Sequence, residues 1–165
     1  MPAAKTFTDH KIITLEEISN RVLRWRKESR KLVFTNGCFD ILHSGHVRYL
    51  QTASGFGDIL ILGLNSDSSI RKLKGSLRPI MNQDDRAYIL SAIKAIDCIV
   101  IFDEETPAKL IQTICPDVLV KGGDYLPEDV VGNDTVSENG GIVKIVPYVE
   151  GKSTSEIIKT IWEQS

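Results

Sequence analysis

His43 and His46 stand three residues apart with Gly45 between them, in the run Phe39-Asp40-Ile41-Leu42-His43-Ser44-Gly45-His46. The run follows the apolar stretch Leu32-Val33-Phe34 and precedes a helical pattern. Paired imidazoles where a strand passes into a helix are a device for holding phosphate. A helix N-terminus presents unpaired N–H groups and the positive end of the helix dipole. Imidazole N–H groups there add donors aimed at the same anion. Displacement at a phosphorus loads charge onto nonbridging oxygens, and fixed donors lower that barrier. A lone histidine is more often structural; two in this spacing at such a junction are hard to dismiss. Gly45 lets the backbone approach phosphate, makes a tight turn, or does both. Asp40 can orient a histidine, bind a metal through water, or hydrogen-bond the turn; the orienting role is preferred.

Three further segments carry candidate chemistry. Asn65-Ser66-Asp67 is followed by Arg71, Lys72, Lys74 and Arg78. These cations are either a solvated helix face or the charge that brings two anionic substrates together. Val118-Leu119-Val120 runs into Lys121-Gly122-Gly123-Asp124-Tyr125. The two glycines give a flat base or ribose room against the backbone, or simply make a turn, and Asp124 can accept a ribose hydroxyl. Gly151-Lys152-Ser153-Thr154-Ser155 stands ahead of the last helical pattern. It is not a Walker A loop, because Val146 occupies the place where the leading glycine must be. Its hydroxyls either cap a helix or join that helix's N–H groups in holding phosphate. No G-x-G-x-x-G follows a strand, and no histidine cluster has zinc spacing.

The elements that must position these residues are legible as short, continuous apolar runs: Lys31 to Asn36, Ile59 to Leu64, Cys98 to Phe102, Val118 to Val120 and Ile142 to Val146. Continuous rather than alternating runs suit strands buried on both faces, as in parallel sheets. Helical patterns lie between them. Thr14-Leu15-Glu16-Glu17 is a capping box opening a helix to about Glu28. Ser44 is expected to cap a helix to about Ser54, and Asp84 to Ile96 reads as another. Thr106-Pro107 opens a helix that stops at Pro116, and Ser153 or Thr154 starts the last. The fold expected is a single-domain α/β arrangement, Rossmann-like and doubly wound, with a mostly parallel sheet of about five strands. Residues 1–30 read as an N-terminal arm and helix ahead of a domain over 31–165. Residues 1–13 and the Gly/Asp/Asn-rich stretch 122–141 are the expected flexible parts. In such folds ligands bind at the carboxyl ends of the strands, and His43 and His46 follow the first of the five.

The 165 residues suit one domain, and 42% hydrophobic with 25% charged residues is the balance of an ordinary globule. A formal net charge of -2 argues against a nucleic-acid or membrane-surface partner, so an anionic ligand must be held by local cations and backbone groups. Cys38, Cys98 and Cys115 are widely spaced with no C-x-x-C, which points to reduced thiols in cytoplasm. No apolar run is long enough to span a bilayer, and Met1 to His10 lacks the apolar core of a secretory signal.

The run Asn36-Gly37-Cys38-Phe39-Asp40-Ile41-Leu42-His43-Ser44-Gly45-His46 resembles the cytidylyltransferase-like nucleotidyltransferases, whose hallmark is (H/T)xGH after a G-x-F-D segment. The resemblance extends over residues 30–163. It implies that His43 and His46 contact the nucleotide phosphates and stabilise the α-phosphoryl transition state. It places Lys72 or Lys74 near the phosphates as a catalytic lysine and makes Arg86, with Arg71 and Arg78, a contact for substrate phosphate. Asn36, Gly37, Cys38, Phe39, Asp40, Gly45, Lys121, Gly122, Asp124, Ser153 and Thr154 become the nucleotide site. Tyr148-Val149 and Lys152 depart from the Arg-Thr and isoleucine common in the cytidylyltransferase form.

Within the family the likeness runs toward the heptose 1-phosphate adenylyltransferases. It is carried by Thr35-Asn36-Gly37-Cys38-Phe39-Asp40, Leu64-Asn65-Ser66-Asp67, Lys74-Gly75 with Arg78-Pro79, Phe102-Asp103-Glu104-Glu105-Thr106-Pro107 and Val120-Lys121-Gly122-Gly123-Asp124-Tyr125. That resemblance implies ATP and a sugar 1-phosphate as substrates, Mg2+ carried by the substrate phosphates, a freestanding form without a kinase half, and a homodimer or higher homo-oligomer. A cytidylyltransferase for glycerol 3-phosphate or a similar small phosphate is the alternative enzyme. A non-catalytic nucleotide-binding module is the alternative of another class.

Overall fold

The apolar runs become strands because helices cover both faces of the sheet they form. A computed structural model gives the fold and describes residues 10–147 and 153–164. Most of the expected N-terminal arm, Tyr148-Val149 and Gly151-Lys152 lie outside the described residues. Among the described residues six strands, β1 (Ile12–Ile13), β2 (Leu32–Gly37), β3 (Ile59–Asn65), β4 (Cys98–Phe102), β5 (Val118–Gly122) and β6 (Ile142–Val146), pair in the order β1-β4-β3-β2-β5-β6. Every pairing is parallel. The helices are α1 (Leu15–Lys27), α2 (Ser44–Ser54), α3 (Asp67–Lys74), α4 (Gln83–Ser91), α5 (Ala108–Ile114), α6 (Asn133–Glu138) and α7 (Thr154–Glu163).

Successive strand residues point to opposite faces. Ile59 and Ile61 of β3 join the layer that holds Ile18, Val22 and Trp25 of α1, Leu110, Ile111 and Ile114 of α5, and Val136 of α6. Leu60, Leu62 and Leu64 face the other way, onto Leu50 and Ala53 of α2 and Ala87 and Leu90 of α4. A strand with both faces so covered is apolar along its body, here Ile59 to Leu64, and all seven residues of β3 are buried, Asn65 at its end included.

The sheet has one strand more than the apolar runs announce. The sixth, β1, is only two residues long and pairs Ile12 with Ile99 and Ile13 with Val100 at the edge. It and α1 give the residues ahead of position 31 a share in the sheet and the core. The α1 capping box forms as read, with Glu17 N donating to Thr14 Oγ1 and Thr14 N donating to Glu17 Oε2. Helix α4 starts behind Asn82, whose side chain accepts from Asp85 N, and ends at Ser91 rather than reaching Ile96. Beyond it the backbone tightens into three-residue turns (Ile93 N to Leu90 O, Ile96 N to Ile93 O) that bring the chain round to β4. The stretch 122–141 is partly ordered, with a 3-10 turn at Pro127–Asp129 and then α6. Gly132 leads into α6 at φ 94°, and a Cβ there would lie 2.5 Å from Ile111 Cδ1. None of the described helices is long and apolar enough to cross a membrane.

Candidate active site

From β2 the chain builds β3 and β4 on one side, then returns to place β5 and β6 on the other, so the winding reverses between β2 and β5. A crevice opens at the carboxyl ends of strands where such a reversal occurs. Here it is a cavity of about 940 Å3, lined by Asn36 and Gly37 from the end of β2, Lys121 and Gly122 from the end of β5, and Asn65 from the end of β3.

The loop after β2 carries Cys38, Phe39, Asp40, His43, Gly45 and His46 onto the cavity wall. Phe39 takes a left-handed backbone (φ 45°), which folds its ring back over Gly37; a Cβ on Gly37 would lie 2.7 Å from Phe39 Cε2. His43, not Ser44, is the N-cap of α2: its backbone is extended (φ -139°, ψ 169°), and its carbonyl accepts from the N–H groups of His46 and Val47. Ser44 is therefore the first helical residue. The helix turn brings the two imidazoles together, stacked with ring centroids 3.8 Å apart and planes 25° from parallel. Nδ1 of His46 is buried without a hydrogen-bond partner among the described residues. Burial, then the neighbouring His43 and Lys74, push the His46 pKa down to about 4. Its ring is uncharged at neutral pH, and an arriving polyanion reverses the electrostatic part of that shift.

Asp40 does not orient a histidine. Its carboxylate accepts from Arg78 Nε at 2.6 Å, Ile80 N at 2.8 Å and Met81 N at 2.9 Å. Burial opposes its charge, but those donors prevail and hold the carboxyl below its usual range. Arg78 is thereby fixed at the cavity wall, with Lys74 from the end of α3 also lining it. Arg86 is corrected more sharply. Its side chain has no exposed surface, and its guanidinium is spent on Met81, Cys38 and Asn65 carbonyls and the Asp67 carboxylate. It lies beneath the loops and does not line the cavity.

On the opposite wall, Lys121 Nζ reaches Asn36 Oδ1 at 3.3 Å, and burial lowers the lysine's pKa. Ser153 caps α7, its hydroxyl oxygen accepting from Glu156 N at 3.1 Å. The Thr154 hydroxyl donates to Ile41 O at 3.2 Å, fastening α7 to the histidine loop. Ser153 and Thr154 both line the cavity, so the N-termini of α2 and α7 meet at one site. Two helix dipoles and several cations favour an anion there.

Arg71, Lys72 and Asp124 fall outside the cavity wall. Arg71 and Lys72 are exposed on α3, and Lys72 stands near Asp103, whose pKa is lowered by Ser66 and Ser68 hydroxyls and then by this lysine. Lys74, two positions beyond Lys72 at the end of α3, is the lysine that lines the cavity. Sequence reasoning missed Arg48, Tyr49 and Thr52, which line the cavity from α2. With Gly45 they fall at i, i+3, i+4 and i+7, a single helix face, and that spacing was the available signal. Tyr49 is set by its hydroxyl, 2.6 Å from Thr35 Oγ1 and donating to Val120 O. Thr106 and Pro107 ahead of α5 and Tyr125 and Val130 past β5 complete the far side.

The chain matches the cytidylyltransferase-like family over residues 34–160. It is 55% identical to Bifunctional protein HldE of Wolinella succinogenes over 154 residues, covering 93% of this chain and 32% of that protein. It is 55% identical to Bifunctional protein HldE of Aliarcobacter butzleri over 159 residues, covering 96% of this chain and 33% of that one. The chain thus spans about a third of the length of these relatives. Among solved structures it resembles the lipopolysaccharide core biosynthesis protein from Thermoplasma volcanium GSS1, with TM-score 0.61, 27% identity and coverage of 74% of this chain and 99% of that one. The pantoate-beta-alanine ligase of Francisella tularensis shares the fold at TM-score 0.62 and 13% identity, over 92% of this chain and 77% of that one. With the histidine pair at the switch point and the match over residues 34–160, the chain belongs to the cytidylyltransferase-like family of nucleotidyltransferases.

Proposed function

We propose that this chain transfers the AMP moiety of ATP to D-glycero-D-manno-heptose 1-phosphate, giving ADP-heptose and pyrophosphate for lipopolysaccharide or surface-glycan synthesis. The observation that carries the transfer chemistry is the stacked His43–His46 pair at the N-terminus of α2, with Lys74 beside it and α7 aimed at the same cavity. The choice of acceptor is supported by the segment likenesses, by 55% identity to the HldE proteins, and by a structural neighbour described as a lipopolysaccharide core biosynthesis protein.

In this reading the triphosphate lies over the N-termini of α2 and α7, with nucleoside contacts from Asn36, Lys121 and Gly122. The acceptor phosphate is drawn in by Arg78 and Lys74. Its anionic oxygen attacks the α-phosphorus in line, the bond from that phosphorus to the bridging oxygen breaks, and pyrophosphate leaves. The attacking oxygen is already ionised, so no general base is required. His43 and His46 donate to the oxygens on which charge grows. Positioning and electrostatics therefore supply the acceleration.

Among the described residues no group of three or more His, Cys, Asp or Glu side chains could hold an ion, and the Asp40 carboxylate in the cavity is engaged by Arg78. Mg2+ belongs to the substrate in this scheme, bound to phosphate oxygens. The same reading places the protein in the cytoplasm, with Cys38, Cys98 and Cys115 as free thiols, and as a homo-oligomer.

A two-by-two panel tests it: ATP or CTP with heptose 1-phosphate or glycerol 3-phosphate, read by pyrophosphate release. ATP with the heptose is the pair expected to turn over. Preference for CTP and glycerol 3-phosphate would replace this reading with a cytidylyltransferase, and nucleotide binding without pyrophosphate from any pair would leave a binding module.

A further inference from the structure

We propose that Arg86 is a positioning residue: it sets the loop that delivers Arg78 to the acceptor phosphate, without touching substrate itself. The inference rests on the assignment of Arg78 to that phosphate.

One planar guanidinium holds four segments. Nη1 of Arg86 donates to Cys38 O at 2.6 Å, in the loop after β2, and to Asn65 O at 2.8 Å, at the end of β3. Nη2 donates to Asp67 Oδ1 at 2.7 Å, at the start of α3, and Nε donates to Met81 O at 3.0 Å, in the loop ahead of α4. The decisive residue is Met81. Its carbonyl is held by Arg86, and its N–H donates to Asp40, the same carboxylate that takes Arg78 Nε. Arg86 and Asp40 therefore grip one residue from two sides, and Arg78 hangs from that grip with a side chain only 17% exposed.

A buried charge is a poor source of stability, since desolvation offsets most of the Coulombic gain. What a fully buried guanidinium supplies is fixed geometry: rigid donors at set angles, which a lysine ammonium cannot reproduce. Release of Met81 O lets residues 78–81 move away from Asp40, and Arg78 then meets the acceptor less well. Arg86 bonds none of the residues assigned to the triphosphate; its single tie to the loop after β2 is to the Cys38 carbonyl.

The test is a double-mutant cycle on the full chain with Arg86→Lys, Arg78→Ala and the pair combined. The KM for acceptor, the KM for ATP, kcat and Tm are read for whichever nucleotide–acceptor pair the wild type turns over. Each single variant is expected to raise the acceptor KM about tenfold and leave the ATP KM within about twofold, with the combined variant no worse than the larger single. Asp67→Asn, which removes the charge opposite Arg86 but keeps an oxygen acceptor, is run in the same cycle and must show the same non-additivity even where Arg86→Lys fails to fold. Independent, multiplicative effects, or a fall in kcat or Tm with the acceptor KM unmoved, would overturn the assignment. Wild type rejecting heptose 1-phosphate while accepting another phosphate refutes the proposed substrate and leaves this criterion in force. No turnover with any pair overturns both.

Discussion

The ring of Phe39 stands 5.0 Å from that of His46, inclined at 56°, so the aromatic that folds over Gly37 also walls the second histidine. Gly37→Ala puts a methyl 2.7 Å from Cε2 of that ring, and the ring must move. Overpacking of this kind costs about 1 to 3 kcal/mol. The expected outcome is that loss of stability together with a raised KM for nucleotide, measured by denaturant unfolding and initial rates. Unchanged kinetics would separate Phe39 from histidine placement.

His46→Ala removes a donor and leaves the core layers untouched. Loss of one such donor typically lowers turnover by about 100 to 1,000-fold. Pyrophosphate release should fall by that much while far-UV circular dichroism stays that of the parent. An unaltered kcat would remove His46 from the chemistry.

The depressed pKa of His46 gives two pH effects. In the ligand-free protein its NMR titration is expected near the value of about 4, and added nucleotide should move it upward. For stability the folded value lies below the ordinary imidazole value of 6.5, so the unfolded chain takes up the proton first. The histidine's contribution is complete above that ordinary value and is lost as pH falls toward the folded one. His46→Asn should flatten that part of the unfolding profile, and an identical acid profile in the variant would count against burial as the cause.

Asp40 has the opposite acid dependence. Its pKa is held below 3.8, so its contribution to stability is present above that value and is lost as pH falls through the folded one. Asp40→Asn loses a charge-assisted bond to Arg78, with an expected cost of about 1.5 to 3 kcal/mol at neutral pH. The acceptor KM should rise with it. Chemical denaturation at neutral and acid pH, beside a kinetic titration of acceptor, checks both.

The parallel sheet was legible because burial on both faces forces uninterrupted apolar runs, as in Ile59 to Leu64. β1 was not, because two residues carry no period, and α6 was not, because its six residues show one buried side chain, Val136. The histidines, Lys121, Ser153 and Thr154 were legible because strand-to-helix junctions of a doubly wound sheet fall at one edge. The roles of Asp40 and Arg86 were hidden by long-range pairing: their partners stand 38 and 48 positions away, at Arg78 and Cys38. The choice between Lys72 and Lys74 turned on the phase of α3, which four cations in close succession do not define.

The opening between β2 and β5 has a consequence for re-engineering. α2 leaves the sheet toward the layer of Leu50 and Ala53, whereas the segment after β5 departs toward that of Val130 and Val136. The gap is thus a product of backbone winding, present whatever side chains surround it. Residues 124–129, which add no buried apolar side chain to either layer, form a cassette on a self-sufficient chassis. Chimaeras that exchange them are expected to keep their melting behaviour while changing how the nucleotide fits.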